Sequence, residues 1–205
     1  MDMADTLIVL DFETTGLSPD TGDRAIEIGA VKIEQGKVTD RFQALMNPGF
    51  RVSSFIESYT GISNAMLADA APCREVMWAF ADFIGSANLV AHNASFDKRF
   101  LDGELHKIRR TYEGDFSCSL LASRRIFQQA PNHKLGTLVS YLNIESNGDF
   151  HRALYDSEMT VQVWLAMLAR LKERYDLQNI PFELIQKVNK TPAKNVHRLL
   201  SEASC

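Results

Sequence analysis

Nothing in this sequence approaches the roughly 20 consecutive apolar residues that a membrane-spanning helix needs. The N-terminal MDMADTLIVLDFE has no basic start and only a short apolar run, so neither an anchor nor a secretory leader is expected. Cysteine is scarce. Cys73, Cys118 and Cys205 lie far apart and form no CxxC pair, which argues against a zinc framework or a disulfide scaffold and for a reducing, cytoplasmic setting. Basic charge is not in excess: the formal net charge is -4. That is unlike a protein that passively coats DNA, although a nucleic-acid substrate stays open. Internal repeats and low-complexity tracts are missing too. What is present is an ordinary globular balance, 45% hydrophobic and 23% charged over 205 residues, enough for one sizeable domain with a core.

Alternation and turn residues predict strands at Thr6–Phe12, Ala25–Ile33 and Lys37–Met46, the last two joined by a hairpin at Glu34-Gln35-Gly36. A short strand is expected at Asn88–His92. Helical spacing predicts helices at Glu75–Ile84, Ser95–Ile108, Ser119–Phe127, Leu135–Leu142 and Ala153–Tyr175. Beyond Tyr175 the pattern weakens to short helices at Phe182–Val188 and Ala193–Ser201. The expected division is a main domain over residues 1–175 and a helical tail over 176–205, packed loosely on it or frayed. An antiparallel start followed by β-α units reads as a mixed sheet with helices on its faces.

Acids punctuate this pattern. In LIVLDFETTG, strand alternation puts Leu7, Val9, Asp11 and Glu13 on one face, with successive members about 7 Å apart. In AHNASFDKRFL the core-facing stripe Asp97, Leu101, Leu105, Ile108 begins with an acid. In HRALYDSEMTVQVW the stripe Asp156, Thr160, Val163, Met167 does the same, with His151 just ahead of the helix. Taken singly, each has a plain structural reading: a solvated strand end, a charged first helical turn, a loop histidine. Taken together, three apolar faces each end in carboxylate. Such a cluster repels itself unless divalent cations neutralise it. Oxygen ligands without cysteine favour magnesium or manganese. Two such ions about 4 Å apart suit in-line displacement at phosphorus, one activating a water and the other stabilising the leaving oxygen. A nearby histidine is the natural general base.

DFETTG, AHNASFDKRFL and HRALYD, in that order, resemble the three exonuclease motifs of the DEDDh (DnaQ-like) 3′–5′ exonucleases, over roughly residues 6–170. That family includes the proofreading epsilon subunit of DNA polymerase III, RNase T and oligoribonuclease. The resemblance implies an α/β, RNase H-like fold, a five-stranded mixed sheet flanked by helices. It implies two divalent ions, Mg2+ or Mn2+. Asp11, Glu13 and Asp156 match the ligands of the ion that binds the attacking water, Asp11 bridges to the second ion, and Asp97 completes the site. His151 matches the general base. The tyrosine branch of the family would carry Tyr where this chain has Arg152, and Tyr155 is out of register.

By the same resemblance, Thr14, Thr15 and Gly16 would bond the 3′ nucleotide and Leu17 would wedge against its base. Phe96 would stack on a base or simply pack in the core. His92 and Asn93 would sit at the corner beside the site, with Asn93 or Ser95 capping the helix. Thr60–Ser63 (TGIS) matches a loop near substrate, Glu27 reads as structural, and Lys134 is the best basic candidate. Lys98, Arg99, Lys107, Arg109, Arg110, Arg124 and Arg125 read mostly as solvated faces. The expected substrate is a single-stranded 3′ end, with DNA favoured in proofreading or repair. RNA trimming of the RNase T type, or a non-catalytic nucleic-acid-binding polymerase subunit, are the alternatives. A homodimer and a polymerase partner are both compatible with the resemblance.

Overall fold

The computed structural model describes residues 2–146 and 151–203; Cys205 lies outside them. Five strands form one sheet: β1 (Leu7–Thr14), β2 (Ala25–Glu34), β3 (Lys37–Leu45), β4 (Leu89–Ala91) and β5 (Phe116–Cys118), in the order β3-β2-β1-β4-β5. β1, β2 and β3 are antiparallel, while β4 joins β1 and β5 joins β4 in parallel. The helices are α1 (Ser54–Thr60), α2 (Asn64–Asp69), α3 (Cys73–Ile84), α4 (Ser95–Lys107), α5 (Ser119–Ile126), α6 (Leu135–Tyr141), α7 (Ala153–Tyr175), α8 (Phe182–Lys190) and α9 (Val196–Glu202).

The strand alternation divides β1 between two cores. Leu7 and Val9 pack with Trp164, Val163 and Met167 of α7. Ile8, Leu10 and Phe12 pack with Phe80 of α3 and Phe100 and Leu101 of α4. Burying both faces of a central strand stabilises it by roughly 1.5–3 kcal/mol per large side chain. The two acid-headed stripes face inward as their spacing predicts. Leu101, Leu105 and Ile108 are buried behind Asp97, and Thr160, Val163 and Met167 behind Asp156.

The structure departs from the sequence expectation in three places. α1 and α2 are additional helices. β5 is a three-residue strand, too short to show alternation. The tail is not loosely attached: Ile180, Phe182, Ile185, Val188, Val196 and Leu200 are buried in the α7-side core. It also bonds to the start of the chain, Ala4 N–H to the Ile180 carbonyl (2.8 Å) and Phe182 N–H to the Asp2 carbonyl (2.9 Å). Trp164 Nε1 donates to the Ala4 carbonyl at 2.7 Å. Phe182, Ile185 and Val188 carry the helical period, but the surface they cover is made by distant residues, so it cannot be seen locally.

Candidate active site

β1 runs past its partner β4. Their pairing ends at Val9 and Val90, and the Phe12 N–H beyond that point would lack an acceptor. Asp97, in the first turn of α4, takes it: its Oδ1 accepts from Phe12 N at 3.1 Å. One bond thus fixes the third acid beside the first two. Neither Asn93 nor Ser95 caps α4, contrary to expectation; the N-cap residue is Ala94, and the turn closes through Phe96 N–H to the Asn93 carbonyl. Asn93 has a φ of 73°, the left-handed region that asparagine tolerates. At its far end α4 is held by Glu104, which accepts from Arg24 Nε and Nη2 at 2.7 and 2.9 Å.

α7 delivers the fourth acid. Its first residues lie on β2 at Gly29, where a methyl group would fall onto the backbone of Ala153 and Leu154. Ser157 Oγ donates to the Gly29 carbonyl at 2.9 Å. Glu27, fully buried, accepts from Arg152 Nη2 (2.8 Å), Ala153 N (3.1 Å) and Gln43 Nε2 (2.9 Å). The structural role read for Glu27 is therefore specific: it anchors the residues leading into Asp156. His151 N donates to Asp156 Oδ2 at 3.0 Å, and His151 holds a φ of 74°. For a non-glycine residue that costs on the order of 1–3 kcal/mol.

Glu13, His151 and Asp156 offer ligand atoms that all lie within 4.8 Å of one another. Asp156 Oδ1 is buried and has no hydrogen-bond partner among the described residues. The electrostatics report the same crowding. Burial, and then the charges of Asp97, Glu13, Asp156 and Glu27, hold the Asp11 carboxyl well above its usual range. Burial, Asp156, Glu27 and Asp97 raise Glu13 to about 8, against the opposing pull of Arg152. Burial raises Asp97 to about 7 despite the Phe12 N–H. Burial also raises Asp156, while the His151 backbone bond and charge lower it. Four carboxyls that resist ionisation, all hard oxygen donors, with one orphaned oxygen, are the donor set that a divalent cation satisfies.

The remaining expected site residues divide. Leu17 is 78% exposed, as a side chain free to meet a substrate would be. Thr14 Oγ1 is turned back to the Gly16 carbonyl at 2.6 Å. Thr15 Oγ1 accepts from Arg24 N and donates to Asp23 Oδ1, so this hydroxyl builds the turn. Asp23 is the organiser that the sequence did not reveal: its carboxylate also takes Ser18 N–H and lies against Gly16, where a side chain would collide with it. Phe96 is half-buried, its ring 5.0 Å from that of Phe100. Lys134 is exposed at the start of α6.

His92 is corrected by the structure. Nε2 bonds the His133 carbonyl (2.9 Å) and Nδ1 bonds Ser119 Oγ (2.8 Å). Burial lowers its pKa to about 4. The carbonyl requires N–H at Nε2, so Nδ1 accepts from the serine, and no ring nitrogen remains for a substrate. The ring instead braces the β4–α4 corner against α5.

Two aromatic residues stand beside the site without having been anticipated. The Tyr59 ring lies 4.3 Å from that of His151, and Phe55 stacks on Tyr59 at 5.9 Å with 13° between planes. They are 51% and 70% exposed. The Tyr59 hydroxyl is raised by burial and by the charges of Glu13, Asp156 and Asp11. Their i, i+4 spacing just before TGIS was the available signal.

The exonuclease family model named RNase T matches residues 8–164, which span every acid and the histidine. The chain belongs to the RNase T exonuclease family. That family is one of exonucleases. The chain is 40% identical over 166 residues to the DNA polymerase III PolC-type of Caldanaerobacter subterraneus subsp. tengcongensis, covering 81% of this chain and 12% of that protein. For the corresponding protein of Bacillus subtilis the identity is 38% over 172 residues, 83% of this chain and 12% of that one. The chain therefore spans only about an eighth of these relatives' length. Among solved structures, exonuclease X in complex with 5′-overhanging duplex DNA matches with a TM-score of 0.63 at 23% identity, over 95% of this chain and 99% of that one. The nuclease domain of 3′hExo, a DEDDh family member bound to rAMP, matches with a TM-score of 0.67 at 22% identity, over 80% and 92%. An E. coli ExoI–ssDNA complex matches with a TM-score of 0.70 at 16% identity, over 84% and 41%. This chain's α/β fold, a five-stranded mixed sheet with helices, thus has RNase H-like exonuclease structures as its neighbours. Among the described residues no helix is long and apolar enough to cross a membrane.

Proposed function

We propose that the chain removes nucleotides one at a time from single-stranded 3′ ends, DNA in preference to RNA, and releases nucleoside 5′-monophosphates. The observation that carries this reading is the orphaned, buried Asp156 Oδ1 set among carboxyls whose pKa values are raised. Asp11, Glu13, Asp97 and Asp156 would hold two divalent ions, Mg2+ or Mn2+. Bound there, such ions supply a water of lowered pKa and neutralise charge at the scissile phosphorus.

The rest falls to side chains of this chain. A ring nitrogen of His151, beside the Glu13 and Asp156 carboxylates, takes the proton of the attacking water. The water oxygen bonds phosphorus, the bond to the preceding nucleotide's O3′ breaks, and that oxygen takes a proton from solvent to leave as a hydroxyl, while His151 returns its proton to solvent. Leu17 wedges the terminal base, and Tyr59 with Phe55 offers ring faces for stacking, a sequence-tolerant contact. The PolC-type relatives favour DNA and make a polymerase the first partner to seek by co-purification. Light scattering tests for a homodimer.

The test uses 5′-labelled single-stranded DNA and RNA of one sequence, with Mg2+ or Mn2+, beside an Asp11→Ala control. A ladder shortening by single nucleotides from the 3′ end, absent in the control, supports the reading, and the faster strand names the substrate. Intact strands with either metal would sink it.

A further inference from the structure

A cavity of about 350 Å³ lies where the C-terminal ends of α5 and α7 meet α9. A helix rises about 1.5 Å per residue, which puts Arg170 about 20 Å along α7 from Asp156, well away from the acids. Its lining carries Arg125, Arg170, Arg174, Lys194 and His197, and no carboxylate. In a chain of net charge -4 that is a marked local excess of positive charge.

Helix C-termini favour cations, and this accounts for two of them, Arg125 in the last turn of α5 and Arg174 in the last turn of α7. Arg125 is bound to the fold, its Nε to the Thr191 carbonyl at 3.2 Å and its Nη1 to the Leu121 carbonyl at 3.5 Å. It does not account for the others. Arg170, Arg174 and Lys194 have no hydrogen-bond acceptor or carboxylate partner among the described residues, and all three line this one cavity. Three cations without a carboxylate face one cavity, Arg174 with its guanidinium 5.7 Å from the centre of the Tyr175 ring, and repulsion among them opposes that arrangement. Rings complete the wall. Tyr175 and His197 lie 5.6 Å apart with Nδ1 3.2 Å from the phenol oxygen, and Tyr141 is 39% exposed on the other side.

We propose that this cavity binds the phosphate of a nucleotide, with Arg170, Arg174 and Lys194 on the phosphate and the Tyr175–His197 pair beside the base. Guanidinium forks match phosphate oxygens, and ring faces accept any base. The phosphate belongs either to a free mononucleotide or to a strand lying along the protein. The volume falls in the roughly 300–1,000 Å³ range of small-molecule sites. The proposal does not depend on the exonuclease reading, because binding is measured without turnover.

The experiment is equilibrium binding of thymidine 5′-monophosphate and of fluorescent (dT)12, in EDTA, over a series of salt concentrations. Wild type is compared with Arg170→Gln/Arg174→Gln on α7 and, on a separate element, Lys194→Gln. All three residues are exposed, and matched thermal melting shows that each variant folds. The expected result is at least about tenfold weaker binding in the double variant, with the slope of log K against log salt shallower by about 1 per lost contact. Equal loss for both probes identifies the free nucleotide, and loss for (dT)12 alone identifies a strand. Unchanged affinity and slope in both variants would overturn the proposal. So would inorganic phosphate competing as well as the nucleotide, or displacement by a glutamate-rich peptide but not by either probe.

Discussion

Removing divalent ions should make the protein less stable as pH rises, and the window in which this is cleanest follows from two groups. Glu13 titrates at about 8 in the fold against 4.5 when free. A carboxyl raised in this way keeps a proton that the unfolded chain has already lost, so unfolding becomes easier with increasing pH until the folded group has ionised too. His92 acts in the opposite sense. It titrates at about 4 in the fold against 6.5 when free, so below 6.5 the unfolded chain binds the extra proton and stability rises with pH. Above 6.5 the histidine contribution is complete, and only the carboxyls remain. Between pH 6.5 and 8.5 Glu13 alone, holding its proton over about 1.5 pH units at 1.36 kcal/mol each, removes roughly 2 kcal/mol. Asp97 acts in the same direction with a smaller share, since it titrates at about 7. For a chain of this size 2 kcal/mol is roughly 4–8 °C in Tm.

The assay is thermal and urea unfolding in EDTA across that window, repeated with millimolar Mg2+. The slope should be present in EDTA, flattened by Mg2+, and reduced by Glu13→Gln. A flat curve in EDTA would refute the crowded-carboxyl argument. A slope untouched by Mg2+ would refute the assignment of these acids as ligands.

Other outcomes follow from the geometry. Asp11→Ala or Asp156→Ala should abolish turnover, whereas His151→Ala should lower kcat by about 10²–10⁴-fold while Mg2+ still raises Tm; an unchanged kcat would remove the histidine from the chemistry. Glu27→Ala orphans the buried Ala153 N–H and frees Arg152, which can turn partly to water, so urea unfolding should show a loss of about 2–4 kcal/mol. Wild-type stability in that variant would show that the anchor is dispensable. Tyr59→Ala should raise KM for a single-stranded oligonucleotide roughly 5- to 100-fold, the worth of one stacked base, with Tyr59→Phe near wild type; equal KM values would mean that the ring does not meet the substrate.

Much of this was legible in the sequence, for identifiable reasons. β1 could be read because its alternation is unbroken, and the acids stood out because Asp11 and Glu13 close one apolar face while Asp97 and Asp156 each head another. The missing parts depend on long-range partners. Glu27 looks like any strand residue until Arg152, 125 positions later, lies against it. His92 sits at the right corner, and only the His133 carbonyl and Ser119 hydroxyl show it to be occupied. Tyr59 and Phe55 lie in a seven-residue helix too short to announce itself by period.

The division of β1 between two cores has a consequence for misfolding. Sliding β1 by one residue against its neighbours would turn Phe12 toward α7 and drive Asp11 and Glu13 into the aromatic packing around Phe80. Ionised carboxylates cannot rest there unpaired. Strand registry and ligand placement are thus a single specification. A population of this protein should contain no stable but inert isomer shifted in registry, and the fraction of molecules competent to bind cation should equal the fraction that is folded.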